Sequence, residues 1–299
     1  MITPFQTTCF SSTDSNVFKY VFTKGKDIAV ESVLYRYGSF SERTVICCST
    51  QCGCPVGCRF CGTGRFFVRN LTAQEIIEQV TTVLSHIDCD TKDIHKFQIM
   101  FMSMGEPFLN YEQLKEAIKD LSKLYPNAQL LVSTSAPAGF EKHIEDFAQL
   151  TNKIPQIGLQ FSVHESLNER RNALISSKTS SLEQIAEAGE KWATLTHKKP
   201  FYNYCVHEHN STIEDAERLV NYFNPAVWET TLSVICEKDE SVKNSIDRQL
   251  EMIQKFADEM TSRGASLRIF NPAGQDDIGG GCGQLWFFQK WLKDRKQEN

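Results

Sequence analysis

A chain of 299 residues with 41% hydrophobic content can bury one large α/β core or two small ones, and its formal net charge of −5 excludes a broad positive field, leaving at most a local basic groove for nucleic acid. Eleven cysteines in a chain of this length point to the reduced thiols of a cytoplasm rather than to a secreted disulfide framework. The start Met1-Ile-Thr-Pro-Phe-Gln lacks the basic-then-apolar order of a signal peptide, and there is no run of about 18 apolar residues, so the sequence reads as a cytoplasmic protein without a membrane segment.

In chain order, residues 1–40 read as a polar lead and a β-hairpin extension, with strands over 17–22 and 28–35, and residues 41–299 read as the core unit. Short apolar runs over 44–47, 97–102, 129–133, 157–162, 201–206 and 231–236 have the length and composition of buried strands. Between and after them, amphipathic stretches over 72–85, 111–124, 141–150, 181–194, 212–223 and 245–263 have the period of helices. Six strand–helix units in succession predict a parallel sheet, either doubly wound or, as favoured here, a partial (β/α)6 TIM-type barrel. Either form gathers ligands at the carboxyl ends of its strands, where the polar motifs of this chain fall. The last stretch, 291–299, reads as a frayed helix end.

The most specific motif is Cys54-Pro-Val-Gly-Cys58-Arg-Phe-Cys61. Three thiolates in one short loop suit three corners of a cubane iron–sulfur cluster and leave the fourth iron open to a small molecule. Closed tetrahedral zinc would need a further ligand. Gly105-Glu106-Pro107 follows the second core strand and supplies a backbone that a ligand can approach and a carboxylate that can accept from an ammonium. Ser133, Ser162 and His164 fall at or near later strand ends, within reach of the same ligand. Cys282 follows Gly279-Gly-Gly281, a stretch able to swing a thiol into a site.

Together these motifs resemble the radical S-adenosylmethionine RNA adenine methyltransferases, which modify carbon 2 or carbon 8 of adenine in ribosomal and transfer RNA. The resemblance runs from about Val30 to Leu285 and includes Cys47-Cys-Ser-Thr-Gln-Cys-Gly-Cys54, Ser133-Thr-Ser135, Ser162-Val-His164 and Asp276-Asp-Ile-Gly-Gly-Gly-Cys282. It implies a 4Fe-4S cluster on Cys54, Cys58 and Cys61, and S-adenosyl-L-methionine held by Gly105, Glu106, Ser133, Ser162 and His164. It further implies that Cys282 carries a methyl group from which a 5′-deoxyadenosyl radical takes hydrogen, that Cys47 resolves the resulting protein–RNA adduct through a disulfide, and that Glu31 accepts a proton. RNA and an electron donor such as flavodoxin or ferredoxin are the implied partners.

The chain departs from the family pattern in two places. A short polar lead stands where the family usually has a helical domain, so an RNA contact built differently is expected. Ile235-Cys-Glu-Lys replaces an Asn-Pro motif after the sixth strand. Candidate phosphate contacts are Arg59, Arg65, Arg69, Arg170, Arg171, Lys198 and Lys199, with Phe66, Phe67 and Trp286 as stacking surfaces. The alternatives are a radical S-adenosylmethionine enzyme acting on a non-RNA substrate, which the acidic charge favours, and a non-catalytic cluster-bearing RNA-binding module, which would cleave no S-adenosylmethionine.

Overall fold

The computed structural model describes residues 4–270 apart from 27, 65, 177 and 236–241, together with residues 278, 279, 290 and 294. Strands β1 (Gln6–Ser11), β2 (Val17–Lys24), β3 (Ile28–Tyr37) and β4 (Ser39–Cys48) form an antiparallel meander, and β4 then pairs in parallel with β7 (Lys96–Phe101). Parallel pairing continues through β8 (Gln129–Thr134), β9 (Ile157–Ser162), β10 (Phe201–Val206), β11 (Glu229–Val234) and the short β12 (Leu267–Ile269). The spatial order β1-β2-β3-β4-β7-β8-β9-β10-β11-β12 follows the chain. A doubly wound sheet reverses direction at a switch point. This sheet never does, and it is a singly wound, partial TIM-type barrel.

Helices α1 (Ala73–Leu84), α2 (Tyr111–Leu124), α3 (Ile144–Lys153), α5 (Leu182–Thr196), α6 (Ile213–Tyr222) and α7 (Val242–Ser262) occupy the crossovers. Three of them start at capping boxes, Thr72 with Glu75, Ser181 with Gln184 and Thr212 with Asp215, each satisfying two otherwise orphaned backbone donors. One parity of each strand packs beneath these helices: Ile46, Ile99, Leu130, Val132, Leu159, Phe161, Tyr202, Tyr204 and Leu232 all belong to one buried apolar cluster. The opposite parity faces the barrel lumen and carries the functional side chains.

Five short elements lie outside the expected set. Strand β1 leaves nearly all its side chains exposed and is held by backbone pairing to β2, so its sequence has no apolar alternation to read. The ribbon of β5 (Gln51–Gly53) and β6 (Phe67–Asn70), the helix α4 (Asn168–Leu174) and β12 are too short for a period to emerge. The 141–150 helix begins later, at Ile144, because a 3-10 turn over Phe140–His143 precedes it.

Candidate active site

The three-cysteine loop leaves β5 and is shaped by glycines at positions where no other residue fits. Gly53 has φ +77°, and a Cβ there would lie 2.0 Å from the Phe66 carbonyl oxygen; a Cβ on Gly64 would lie 2.5 Å from that of Cys58. Cys54 N–H donates to Phe66 O at 2.6 Å, and Cys61 N–H donates to Cys58 O at 3.2 Å, which closes the loop on itself. Cys54, Cys58 and Cys61 pack with Val56, Phe60, Leu174, Ile175, Cys205 and Ile235 in a separate apolar cluster. Burial in this dry shell pushes the Cys54 thiol up to about 12, opposed by the Val56 N–H aimed at its sulfur. Cys58 is likewise pushed up, first by burial and then by the neighbouring Cys61 and Cys54 sulfurs.

The donor set fits an iron–sulfur cubane: soft thiolates, an apolar shell and backbone N–H groups beside the sulfur are the features that hold and tune such a group. Among the described residues no three His, Cys, Asp or Glu side chains converge on a single ion. A cubane spreads its thiolates over separate irons and does not demand that convergence.

Glu106 is buried, and its carboxylate takes four donors: Phe108 N–H at 3.1 Å and Thr134 Oγ1 at 2.6 Å on Oε1, Ser135 N–H and Ser135 Oγ both at 2.7 Å on Oε2. Burial raises this carboxyl, and these donors oppose the rise. Four donors fill the lone-pair sites of a carboxylate, so a ligand ammonium would displace a hydroxyl to reach it. Gly105, at φ +98°, is a glycine because a Cβ would meet Gln51 Cβ at 2.6 Å, and the Gln51 side chain in turn accepts from Glu106 N–H at 2.8 Å. Ser133 Oγ faces the lumen and accepts from Gln160 Nε2 at 3.2 Å. Ser162 ends β9 beside Asn203.

His164 has φ +61° and is buried; its Nδ1 accepts from Cys205 N–H at 3.2 Å, which assigns the proton to Nε2. The Phe60 ring of the cysteine loop meets the imidazole edge-on at 5.4 Å. Burial, then the Arg171 charge, lowers the imidazole to about 3. A folded-state value below the unfolded 6.5 means that this contribution to stability is complete above about pH 6.5 and is lost as pH falls toward 3. His164→Asn keeps an acceptor and tolerates the left-handed backbone. Wild type is therefore expected to lose about 2 kcal/mol more than the variant between pH 7 and pH 5, measured by denaturant unfolding. Equal losses would show that His164 is not held neutral.

Arg171 is the residue whose role the sequence did not give. It is 1% exposed and cannot touch RNA phosphate; its guanidinium donates to Ser135 O at 2.7 Å, Ser162 O at 3.1 Å, Ser180 O at 2.8 Å and Thr179 Oγ1 at 2.9 Å. It thereby ties the ends of β8 and β9 to α4, whose last carbonyl, Leu174 O, accepts Arg59 N–H from the cysteine loop at 2.9 Å. Burial lowers it to about 10, against the pull of Cys58 and Glu106.

Of the other basic candidates, Arg69 is committed to Glu75 through two bonds of 2.7 Å. Arg170 pairs with Asp215 and Glu165, and Lys198 bonds Pro155 O and Ile157 O at the amino-terminal end of β9. Arg59 and Lys199 are exposed, as is Phe67. Arg65, Cys236, Cys282 and Trp286 lie outside the described residues.

A second group sits on the lumen side of β2, β3 and β4. Lys19 Nζ and Glu31 Oε2 form a 2.7 Å ion pair, both fully buried. Lys19 Nζ also donates to Gly279 O at 3.0 Å, and Ile278, like Cys47, packs against the cluster of Val17, Val33, Tyr35 and Val45. Burial raises the half-buried Cys47 thiol to about 12, opposed by the hydrogen-bonded Tyr35, so Cys47 rests protonated at neutral pH. Cys48, one residue on, points to the opposite face and is fully buried in the helix-side core.

Residues 48–223 match the Radical SAM superfamily. The chain is 32% identical over 275 residues to the probable dual-specificity RNA methyltransferase RlmN of Heliobacterium modesticaldum, covering 89% of this chain and 69% of that one. It is also 32% identical over 252 residues to the dual-specificity RNA methyltransferase RlmN of Aliarcobacter butzleri, covering 82% and 67%. Among solved structures, a radical SAM methyltransferase from Sphaerobacter thermophilus superimposes with a TM-score of 0.79 at 25% identity, over 95% of this chain and 81% of that one. Streptococcus suis SuiB bound to S-adenosylmethionine shares the fold alone, with a TM-score of 0.54 at 12% identity over 76% of this chain and 50% of its own. The chain belongs to the Radical SAM superfamily and, within it, to the family of the RlmN RNA methyltransferases.

Proposed function

We propose that this protein methylates an adenine ring carbon of RNA, using Cys282 as methyl carrier, Cys47 as resolving thiol and Glu31 as proton acceptor. The observation that carries the reading is the seating of Ile278 and Gly279, four and three residues before Cys282: Ile278 packs on the same apolar cluster as Cys47, and Gly279 O accepts from Lys19 of the Lys19–Glu31 pair. The chain just ahead of the proposed carrier thiol is thus held near the two other proposed reacting groups.

The cysteine loop would hold a 4Fe-4S cluster, which when bound supplies the electron that cleaves S-adenosyl-L-methionine; an external reductant of the flavodoxin or ferredoxin kind would replenish it. The protein's own groups do the rest. Glu31, buried and ion-paired, takes a proton from the adenine carbon after the Cys282 methylene has bonded to it and the odd-electron adduct has passed one electron to the external redox partner. Cys47, once deprotonated, attacks Cys282 Sγ; the sulfur–methylene bond breaks with its electron pair left on the adenine-bound methylene, which takes a proton to become methyl, and a Cys47–Cys282 disulfide remains for the external reductant to reopen. The fully occupied Glu106, with Gly105, Ser133, Ser162 and His164, frames the S-adenosylmethionine side of the lumen. Among the described residues no helix is long and apolar enough to cross a membrane.

The test is mass spectrometry of Cys282 in protein purified anaerobically from its host, beside a Cys47→Ala variant. The expected result is a methyl group on Cys282 in the wild type and one RNA covalently attached per chain in the variant. Unmodified Cys282 together with no adduct would overturn the reading.

A further inference from the structure

Three cations meet at the amino-terminal mouth of the barrel lumen, the end opposite the cysteine loop. Arg43 of β4 stands beside Lys96, the first residue of β7, in the strand register. Arg268 reaches in from β12. None of the three forms an ion pair among the described residues, whereas most other Arg and Lys side chains of the sheet end in a carboxylate or a carbonyl.

The group is assembled rather than scattered. The Arg43 guanidinium lies 4.3 Å from the Tyr37 ring centroid and donates from Nη2 to Gln98 Oε1 at 3.2 Å. Arg43 Nε is buried without a partner. The Arg268 guanidinium lies 5.2 Å from the Phe201 centroid, and its Nε donates to Thr231 Oγ1 at 2.9 Å. Ring faces and amide oxygens orient a guanidinium without neutralising it. Gln98 and Gln129, joined at 3.4 Å, add amide groups to the same floor.

Their charges are felt mutually. Lys96 is lowered by Arg43 first, then by burial and by Arg268, and Arg268 is lowered by burial and by Arg43, with Glu229 as the opposing carboxylate. Three like charges held together against one carboxylate are a standing repulsion that an anion would relieve. Planar forks and an ammonium gathered at one mouth suit the oxygens of a phosphate.

We propose that Arg43, Lys96 and Arg268 form a phosphate-binding site at this mouth. The site is separate from the reacting groups: Arg43 lies four residues before Cys47 on β4, which is about 13 Å of strand. A phosphate held there belongs to a part of the ligand other than the reacting base. If the proposed function holds, the source is the RNA backbone at a distance from the target adenine; the other source of the same chemistry is free inorganic phosphate.

The experiment titrates two probes, inorganic phosphate and a single-stranded adenine-containing RNA oligonucleotide, into the full chain and into an Arg43→Gln, Lys96→Gln, Arg268→Gln triple variant. Lys96→Gln with Arg268→Gln alone, both exposed positions, serves as a second variant should replacement of the half-buried Arg43 disturb folding. Phosphate binding measured calorimetrically is expected to be lost in the triple variant and weakened at least tenfold in the double. The slope of log Kd for RNA against log salt is expected to become shallower by about 2 in the triple variant and about 1.4 in the double. Loss of phosphate binding with an unchanged RNA slope would support the site and assign it to free phosphate. Unchanged binding of both probes, or no phosphate binding by the wild type together with an unchanged RNA slope, would overturn it. The phosphate titration stands whether or not the protein methylates RNA, so the two readings fail separately.

Discussion

Arg171→Met is expected to lower the unfolding free energy by about 3 kcal/mol or more and to cut the iron retained per chain after anaerobic reconstitution. The side chain is buried, and its removal leaves the buried carbonyls of Ser135 and Ser180 and the half-buried one of Ser162 without this donor. Each buried acceptor left unpaired costs about 1–3 kcal/mol. The iron loss follows from the chain of contacts: α4 is braced by Arg171, and α4 accepts the Arg59 N–H of the cysteine loop. Arg171→Lys keeps the charge but replaces a fork with a single ammonium, so it should fall between wild type and Met in both measurements. A Met variant within about 0.5 kcal/mol of wild type would refute the bracing role.

Lys19→Met and Glu31→Gln are each expected to destabilise the protein by about 3–5 kcal/mol, because either leaves a charge in the lumen without its counter-charge. The pair is fully buried at 2.7 Å, and burial lowers Lys19 while Glu31 works to raise it. Replacing both with apolar residues, Lys19→Met with Glu31→Leu, removes the stranded charge and should restore most of the stability. It should not restore turnover if Glu31 accepts the proton. A double-mutant cycle by denaturant unfolding, run beside an RNA methylation assay, separates the two roles. Additive single effects would mean that the groups do not act as a pair.

Much of the architecture was written in periodicity. The core strands and their helices bury one apolar stripe each, and that stripe marks them in the sequence: Leu130 and Val132 under α2 and α3, for example, or Ile76 and Val80 on α1. What was illegible has no stripe. Strand β1 buries almost nothing, and α4 is seven residues long. In the site, the thiols of the cysteine loop were readable because their spacing is itself the chemistry. The sequence offers Arg171 as a candidate phosphate contact because an arginine's sequence neighbours do not say whether its guanidinium meets solvent or three main-chain carbonyls. Glu106 was read as a ligand for an ammonium, and only the fold shows that Thr134 and Ser135, some thirty residues on, fill its lone pairs.

Adjacent thiols on β4 face opposite ways, Cys47 toward the lumen and Cys48 into the dry core beneath the helices. Strand parity alone tells them apart. A deletion of one residue between Ser39 and Ile46 that kept the pairing upstream would turn Cys48 toward the lumen and Cys47 away, giving a chain of nearly unchanged composition with the wrong sulfur on offer. Only length changes in twos would keep Cys47 on the lumen face, a reading frame imposed by the pleat instead of by the codon.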